Sequence, residues 1–159
     1  MTMNNIIIAI LFYTAFTVGT DLQIKEGRLN KKTFIASEFG NRTDPFTKEK
    51  RFHAGVDIAA EAGSKIRPVA AGIVAFSGDY AGYGKVVVID HGNFIRSIYA
   101  HCLGIKVEVG TLVSKETTIA YVGQTGRATG NHVHMEIRFR GVPINPQWVV
   151  NPVELVNEQ

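Results

Sequence analysis

Only one cysteine, Cys102, occurs in the 159 residues. A lone thiol cannot close an intramolecular disulfide, so the fold is not held by a disulfide framework. Beside His101 it would suit a nucleophile–base pair, but a small apolar residue at a strand end explains it better. Runs of Lys and Arg are also missing. The 17 basic and 14 acidic residues leave a net charge of +3, and nothing in their distribution suggests a nucleic-acid surface. Beyond the N-terminus no stretch has a convincing helical period, which argues against a helix bundle. An apolar content of 45% excludes a disordered chain. The length suits one domain with a real core and hardly two.

One long hydrophobic run is present, Ile6 to Gly19. It is short for a membrane-spanning helix, which needs about 20 residues, and it suits the core of a signal peptide. No Lys or Arg precedes it, and Thr17-Val18-Gly19 is a poor cleavage pattern. An uncleaved membrane tether through residues 6–19 therefore competes with a removed signal, and an apolar core element is the third reading. Signal and tether both predict export, to the periplasm, the cell envelope or the medium. The expected organisation is a signal or anchor over 1–20, a polar linker over 21–33, one domain over 34–152 and a tail over 153–159.

From Phe34 onward the chain is a series of short β-type runs separated by glycine turns. Residues 40–45 (GNRTDP) are turn-rich and expected to form a loop. Residues 65–76 read as one strand, with Pro68 suggesting an edge position or a strand start. Residues 85–90 (KVVVID) are apolar throughout their middle, as in a strand buried on both faces. His91-Gly92-Asn93 is a hairpin-type turn into residues 94–101. Residues 116–123 form another strand and 131–140 the last. There Val133, Met135, Ile137 and Phe139 share one face, while His132, His134, Glu136, Arg138 and Arg140 share the other. Both histidines therefore point the same way, opposite to the core. The expected fold class is mainly β: a small antiparallel β-sheet sandwich or partly open barrel.

The chemistry-bearing residues are histidines. His53-Ala54-Gly55-Val56-Asp57 offers an imidazole and a carboxylate, and His132-Val133-His134 offers two imidazoles on one side of a strand. Taken as ligands, His53, Asp57 and His134 match the three-residue set of a catalytic zinc site, whose fourth position is kept for water. Zinc lowers the pKa of such a water to about 7, so the neutral imidazole of His132 is suited to accept its proton. His101 ends another strand and is a second candidate, at the rim, for stabilising an oxyanion. His91 sits in a turn and reads as structural. Glu136 is read as a supporting residue rather than the general base.

Several further motifs then fall in order. Ser37-x-Phe39-Gly40-x-Arg42, His53-x-Gly55-x-Asp57-Ile58-Ala59-Ala60, Gly63 and Ala70-x-Gly72-x-Val74 resemble the first half of the lysostaphin-type (LytM-like) zinc metallopeptidases. Val88-Ile89-Asp90-His91-Gly92 and Tyr99-Ala100-His101 are similar to the middle motifs of that family. Gly123-x-Thr125-Gly126-x-x-Thr129-Gly130-x-His132-x-His134-x-Glu136-Ile137-Arg138 is similar to its C-terminal signature, and Gly141-x-Pro143-x-Asn145-Pro146 to its closing segment. The resemblance covers roughly Ser37 to Val149. It implies one zinc ion per chain on His53, Asp57 and His134, with His132 and His101 as the catalytic pair. It also implies a β-sheet scaffold with a groove closed by loops. The implied substrates are the cross-links or stem peptides of bacterial peptidoglycan. Asn131, Cys102 and Met135 depart from the family's usual Pro, Leu and Phe. None of them removes a ligand.

Three candidates for substrate contact are Arg42, Tyr80 and Tyr83. Arg42 suits a substrate carboxylate, and a loop salt bridge explains it equally well. Tyr80 and Tyr83 suit a groove wall, and turn packing explains them as well. Competing functions are a non-catalytic member of the fold that binds the wall or activates another hydrolase, and a carrier domain modified at Lys115. The carrier readings leave His53, Asp57 or the paired histidines without a role. Without an appended wall-binding module, targeting falls to the tether, a protein activator or partner, or the groove alone.

Overall fold

In the computed structural model, which describes residues 33–157, period-two patterning becomes strands almost everywhere. In chain order these are β1 (Phe34–Ser37), β2 (Gly40–Thr43), β3 (Lys50–His53), β4 (Val56–Ala59), β5 (Lys65–Ile66), β6 (Gly72–Tyr80) and β7 (Gly84–Asp90). There follow β8 (Ile95–Cys102), β9 (Gly104–Ile105), β10 (Leu112–Val113), β11 (Ala120–Tyr121), β12 (His132–Phe139), β13 (Val142–Ile144) and β14 (Val156–Asn157). Among the described residues the helical pieces are short 3-10 turns, at Ala81–Tyr83, Pro146–Trp148 and Pro152–Leu155. The molecule is mainly β, built of antiparallel sheets that do not close. The readings of residues 1–20 and 21–32 lie outside the described residues.

The largest sheet runs β1-β4-β12-β8-β7-β6-β10, with β13 pairing the far half of β12. A smaller sheet runs β14-β5-β11-β9, and β2 and β3 form a separate hairpin. The inward faces meet in one core. Val56, Ile58, Val133, Met135, Ile137, Tyr99, Val87 and Ile89 of the large sheet are fully or almost fully buried, as are Ile66, Ile119 and Val122 of the smaller layer. Burying each such aliphatic side chain stabilises the fold by about 1.5–3 kcal/mol. The hydroxyl of Tyr99, also in this core, accepts the backbone N–H of Val69 at 2.8 Å, so the buried phenol is satisfied.

Four sequence expectations change. Residues 40–43 are a strand rather than a loop, because Gly40–Thr43 pairs with Lys50–His53. The turn is confined to residues 44–49, where the Asp44 carboxylate accepts the N–H groups of Phe46 and Thr47. Residues 65–76 are two strands in different sheets. Pro68, which lacks an N–H, lies in the crossing between them. Residues 116–123 contribute only Ala120–Tyr121. Nor is β12 the last strand: β13 follows it, and Val156–Asn157, in the segment read as a tail, pairs with Lys65–Ile66.

Candidate active site

The central alternation is realised. β12 pairs with β4 so that His134 lies opposite Asp57, and His132 opposite Ala59. Cross-strand partners project to the same side, so the register itself delivers the Asp57 carboxylate to His134. His53 arrives from the β2–β3 hairpin, one tight connection before β4. That connection needs Gly55, since a Cβ there would stand 2.3 Å from the Met135 carbonyl oxygen.

The result is three converging donor atoms. His53 Nε2 lies 3.1 Å from Asp57 Oδ1 and 3.0 Å from His134 Nδ1, and His134 Nδ1 lies 2.8 Å from Asp57 Oδ1. All three residues are buried. The opposite ring atoms fix the tautomers. His53 Nδ1 lies 2.7 Å from the Glu38 carbonyl oxygen, which only accepts, so the proton is on Nδ1. His134 Nε2 lies 3.0 Å from Glu136 Oε1, which places its proton on Nε2. Glu136, completely buried, also accepts from the Tyr83 hydroxyl at 2.6 Å and from Arg138 Nε at 2.7 Å.

Two unprotonated imidazole nitrogens and a carboxylate oxygen therefore face one another at about hydrogen-bond distance. Such an arrangement repels itself unless a cation sits among the lone pairs. A proton shared among these groups can also play that part, and the electrostatics show its pull. Burial opposes charge on Asp57, but the bonds from His134 and His53 outweigh it and hold the carboxyl far below its usual range. Burial likewise pushes the His134 imidazole down, yet Asp57 and Glu136 raise it overall. A set of two nitrogens and one carboxylate oxygen suits zinc, and the two outer ring nitrogens already have the partners that metal-ligating histidines require.

His132 and His101 flank this cluster, with ring centroids 4.8 Å apart. His132 Nδ1 donates to the Gly130 carbonyl at 2.8 Å, and His132 Nε2 faces Asp57 Oδ1 at 3.7 Å. His101 Nδ1 donates to the Thr125 carbonyl at 2.8 Å, leaving Nε2 as an acceptor. Burial, reinforced by His132 and His134, pushes the His101 imidazole down to about 4 despite the Thr125 bond and Asp57. It is therefore neutral at ordinary pH. Regular alternation would not put His101 here. Its neighbour Ala100 lies opposite His134 and faces the site, so His101 would turn to the core. A register shift between β7 and β8, with His101 at φ 63, re-aims it.

The substrate-contact candidates all line the groove. Arg42 Nη2 donates to Asp57 Oδ2 at 3.2 Å, so the guanidinium orients a cluster carboxylate rather than bracing a loop. Tyr83 is held by Glu136, and burial followed by that bond pushes its phenol up to about 12. Tyr80 is exposed and meets Phe76 and Tyr83 edgewise or tilted, at 6.0 and 6.2 Å. His91 proves structural: Nδ1 donates to the Ala71 carbonyl and Nε2 accepts from Ser97. Sequence reasoning missed the wall formed by Asp44 and Arg127. Arg127 Nη2 donates to Asp44 Oδ1 at 2.8 Å, and its guanidinium lies 4.7 Å from the Phe46 ring centre. The Asp44-Pro45 turn signal was visible, but its partner 83 residues away was not.

Known proteins share much of this sequence and fold. The model of "Peptidase family M23" matches residues 51–146. A DD-carboxypeptidase/endopeptidase, Mpg, of Neisseria meningitidis is 41% identical over 120 residues, 76% of this chain and 28% of that protein. The peptidoglycan DD-endopeptidase ShyA of Vibrio cholerae is 36% identical over 118 residues, 74% of this chain and 27% of that protein. The chain thus spans little more than a quarter of these relatives. Among solved structures, the catalytic domain of lysostaphin from Staphylococcus simulans superposes with a TM-score of 0.66 at 22% identity, covering 75% of this chain and 92% of that one. That likeness concerns the fold alone. With its family signature, its relatives and the His–Asp–His cluster in register, the chain belongs to peptidase family M23.

Proposed function

We propose that this chain is a zinc-dependent endopeptidase that hydrolyses peptide bonds in bacterial peptidoglycan. One observation carries the reading. His53 Nε2, Asp57 Oδ1 and His134 Nδ1 present lone pairs to a common point, with two more acceptor imidazoles alongside. His53, Asp57 and His134 would hold one zinc ion. When bound, it polarises a peptide carbonyl and makes water a nucleophile near neutral pH.

The remaining work falls to the chain's own groups. His132 Nε2 takes the proton of the attacking water, because its Nδ1–H is already spent on Gly130. The imidazolium then returns that proton to the leaving amine. Neutral His101 accepts at Nε2. As an acceptor it would hold an O–H of the attacking water, and in that protonation state it has no free N–H to offer the substrate oxyanion. Arg42 fixes the Asp57 carboxylate and keeps further N–H groups for a substrate carboxylate. Tyr80, exposed at the rim, is the freer of the two tyrosines to contact the peptide.

The name of ShyA supports peptidoglycan as the substrate, and that of Mpg supports endopeptidase activity. Export, with or without a membrane tether through residues 6–19, would bring the domain to that polymer, and a protein activator would regulate access to the groove. The alternative, an inactive wall-binding member, predicts a damaged ligand set, whereas all five site residues are present. Digestion of purified peptidoglycan, followed by mass analysis of the muropeptides with and without a chelator, tests the reading. Chelator-sensitive release of new peptide ends is expected. Undiminished release with metal removed, or no release by metal-loaded protein, would overturn it.

A further inference from the structure

The sheet face that carries the site continues well past it. Since cross-strand partners share a side, the register extends the face of His134 in rows. One row runs Glu136, Ile98, Val88, Phe76, and the next runs Arg138, Arg96, Asp90. These rows floor a trough that shares Tyr80 and Tyr83 with the groove around the histidines. Val88, Ile98 and Arg138 carry it on towards Phe94 and Arg140.

Two properties mark this face as a binding surface. It is apolar where water reaches it: Phe76, Tyr80 and Phe94 are 37%, 60% and 70% exposed, and together with Val88 and Ile98 they make a contiguous apolar strip rather than scattered side chains. It is also cationic. Glu136 takes Nε of Arg138, and Asp90 takes Nε of Arg96. Among the described residues no carboxylate pairs with Arg140, whose guanidinium lies 5.1 Å from the Phe94 ring centre and 5.5 Å from that of Phe139. A guanidinium held near aromatic rings in this way, with no carboxylate partner among the described residues, keeps N–H groups for a ligand carboxylate.

We propose that this trough is an extended binding site for an acidic peptide, the arm of the substrate that continues away from the scissile bond. Its carboxylates would lie on Arg96 and Arg140, and its aliphatic parts on Ile98, Val88 and Phe76. The proposal rests on the peptidase reading above. The reach fits: Arg138 is four residues beyond His134 on one strand, about 14 Å at roughly 3.4 Å per residue. A stretched arm of about four residues spans that distance.

The test compares cross-linked muropeptide dimers bearing free carboxylates with the same dimers amidated at those carboxylates. Steady-state kinetics are measured for the wild type, for Arg96→Gln with Arg140→Gln, and for Arg140→Lys. The wild type is expected to show a KM about tenfold lower for the acidic dimer. In the double variant the two KM values should converge, and Arg140→Lys should keep most of the preference. Calorimetric binding of both dimers to chelator-treated protein separates this inference from the reading beneath it. Preferential binding of the acidic dimer, lost in the double variant, supports the trough even if no bond is cut; that combination would overturn only the peptidase reading. Equal binding of the two dimers by the wild type, or an undiminished preference in the double variant, overturns the trough.

Discussion

His134 and Glu136, two residues apart on one strand, are joined side chain to side chain: His134 Nε2 lies 3.0 Å from Glu136 Oε1. The carboxylate is buried, and three donors hold it down to about 2 against the cost of burial, with His134 first among them, then Tyr83 and Arg138. This bond presents His134 Nδ1 to the cluster as a lone pair. Glu136→Gln keeps an acceptor but removes the charge, and it sets an amide N–H₂ among donors. Metal affinity should fall by about 10–100-fold, while Tyr83→Phe should cost less. Competitive zinc titration against a chromophoric chelator measures both. Unchanged affinity in Glu136→Gln would show that the carboxylate does not orient the ligand.

The two histidines of the H-x-H pair should separate cleanly. His134 supplies one of three converging donors, whereas His132 Nε2 stands off at 3.7 Å from Asp57 Oδ1. His134→Ala should lose metal and activity together. His132→Ala should keep metal and lose about 10²–10⁴-fold in kcat, the usual worth of a general base. Metal content of the purified variants, measured alongside turnover of a defined muropeptide, decides the matter. Full activity in a metal-loaded His132→Ala protein would reassign the base.

Much of this was legible in the sequence because the relevant rule is local. Period-two alternation put His132, His134 and Glu136 on one face, and the fold obeys it. What stayed hidden depends on backbone geometry or on distant partners. His101 reaches the site only because a register shift and a left-handed backbone reverse its side. The groups that set the tautomers of His53, His101 and His132 are the carbonyls of Glu38, Thr125 and Gly130, and a carbonyl has no sequence signature. Residues 65–76 looked like one strand because nothing local says that Ile66 and Val74 belong to different sheets.

Asp44 gives a pH prediction with a definite sign. Backbone N–H donation from Thr47, then from Phe46, together with Arg127, lowers its carboxyl from 3.8 to about 2. A depressed folded-state pKa means that the stabilisation is fully present above the unfolded value and is lost as pH falls through the folded one. The 44–49 turn and its link to Arg127 should therefore weaken between about pH 4 and pH 2. Asp44→Asn keeps the turn acceptor but not the charge. It should lower the thermal midpoint at pH 7 and flatten its acid dependence in that window. Parallel acid titrations of the wild type and Asp44→Asn, followed by circular dichroism, would refute this if the two curves stayed the same distance apart throughout.

The last prediction concerns a contact without side chains. Gly84 and Gly126 pack back to back at φ 63 and φ 69. A Cβ on Gly126 would stand 2.4 Å from the Gly84 nitrogen, and one on Gly84 would stand 2.5 Å from the Gly126 nitrogen. Both the left-handed backbone and the backbone clash oppose alanine, so Gly126→Ala should cost about 2–5 kcal/mol. The consequence reaches the chemistry, because Thr125, the neighbouring residue, holds His101 Nδ1 through its carbonyl and Lys85 N–H through its hydroxyl. Displacing that segment should disturb His101 more than the His53–Asp57–His134 cluster, which hangs on β3, β4 and β12. Gly126→Ala, assayed below its own unfolding temperature, should therefore retain metal and lose turnover. A variant that lost metal in proportion to activity would place the damage in the ligand cluster instead.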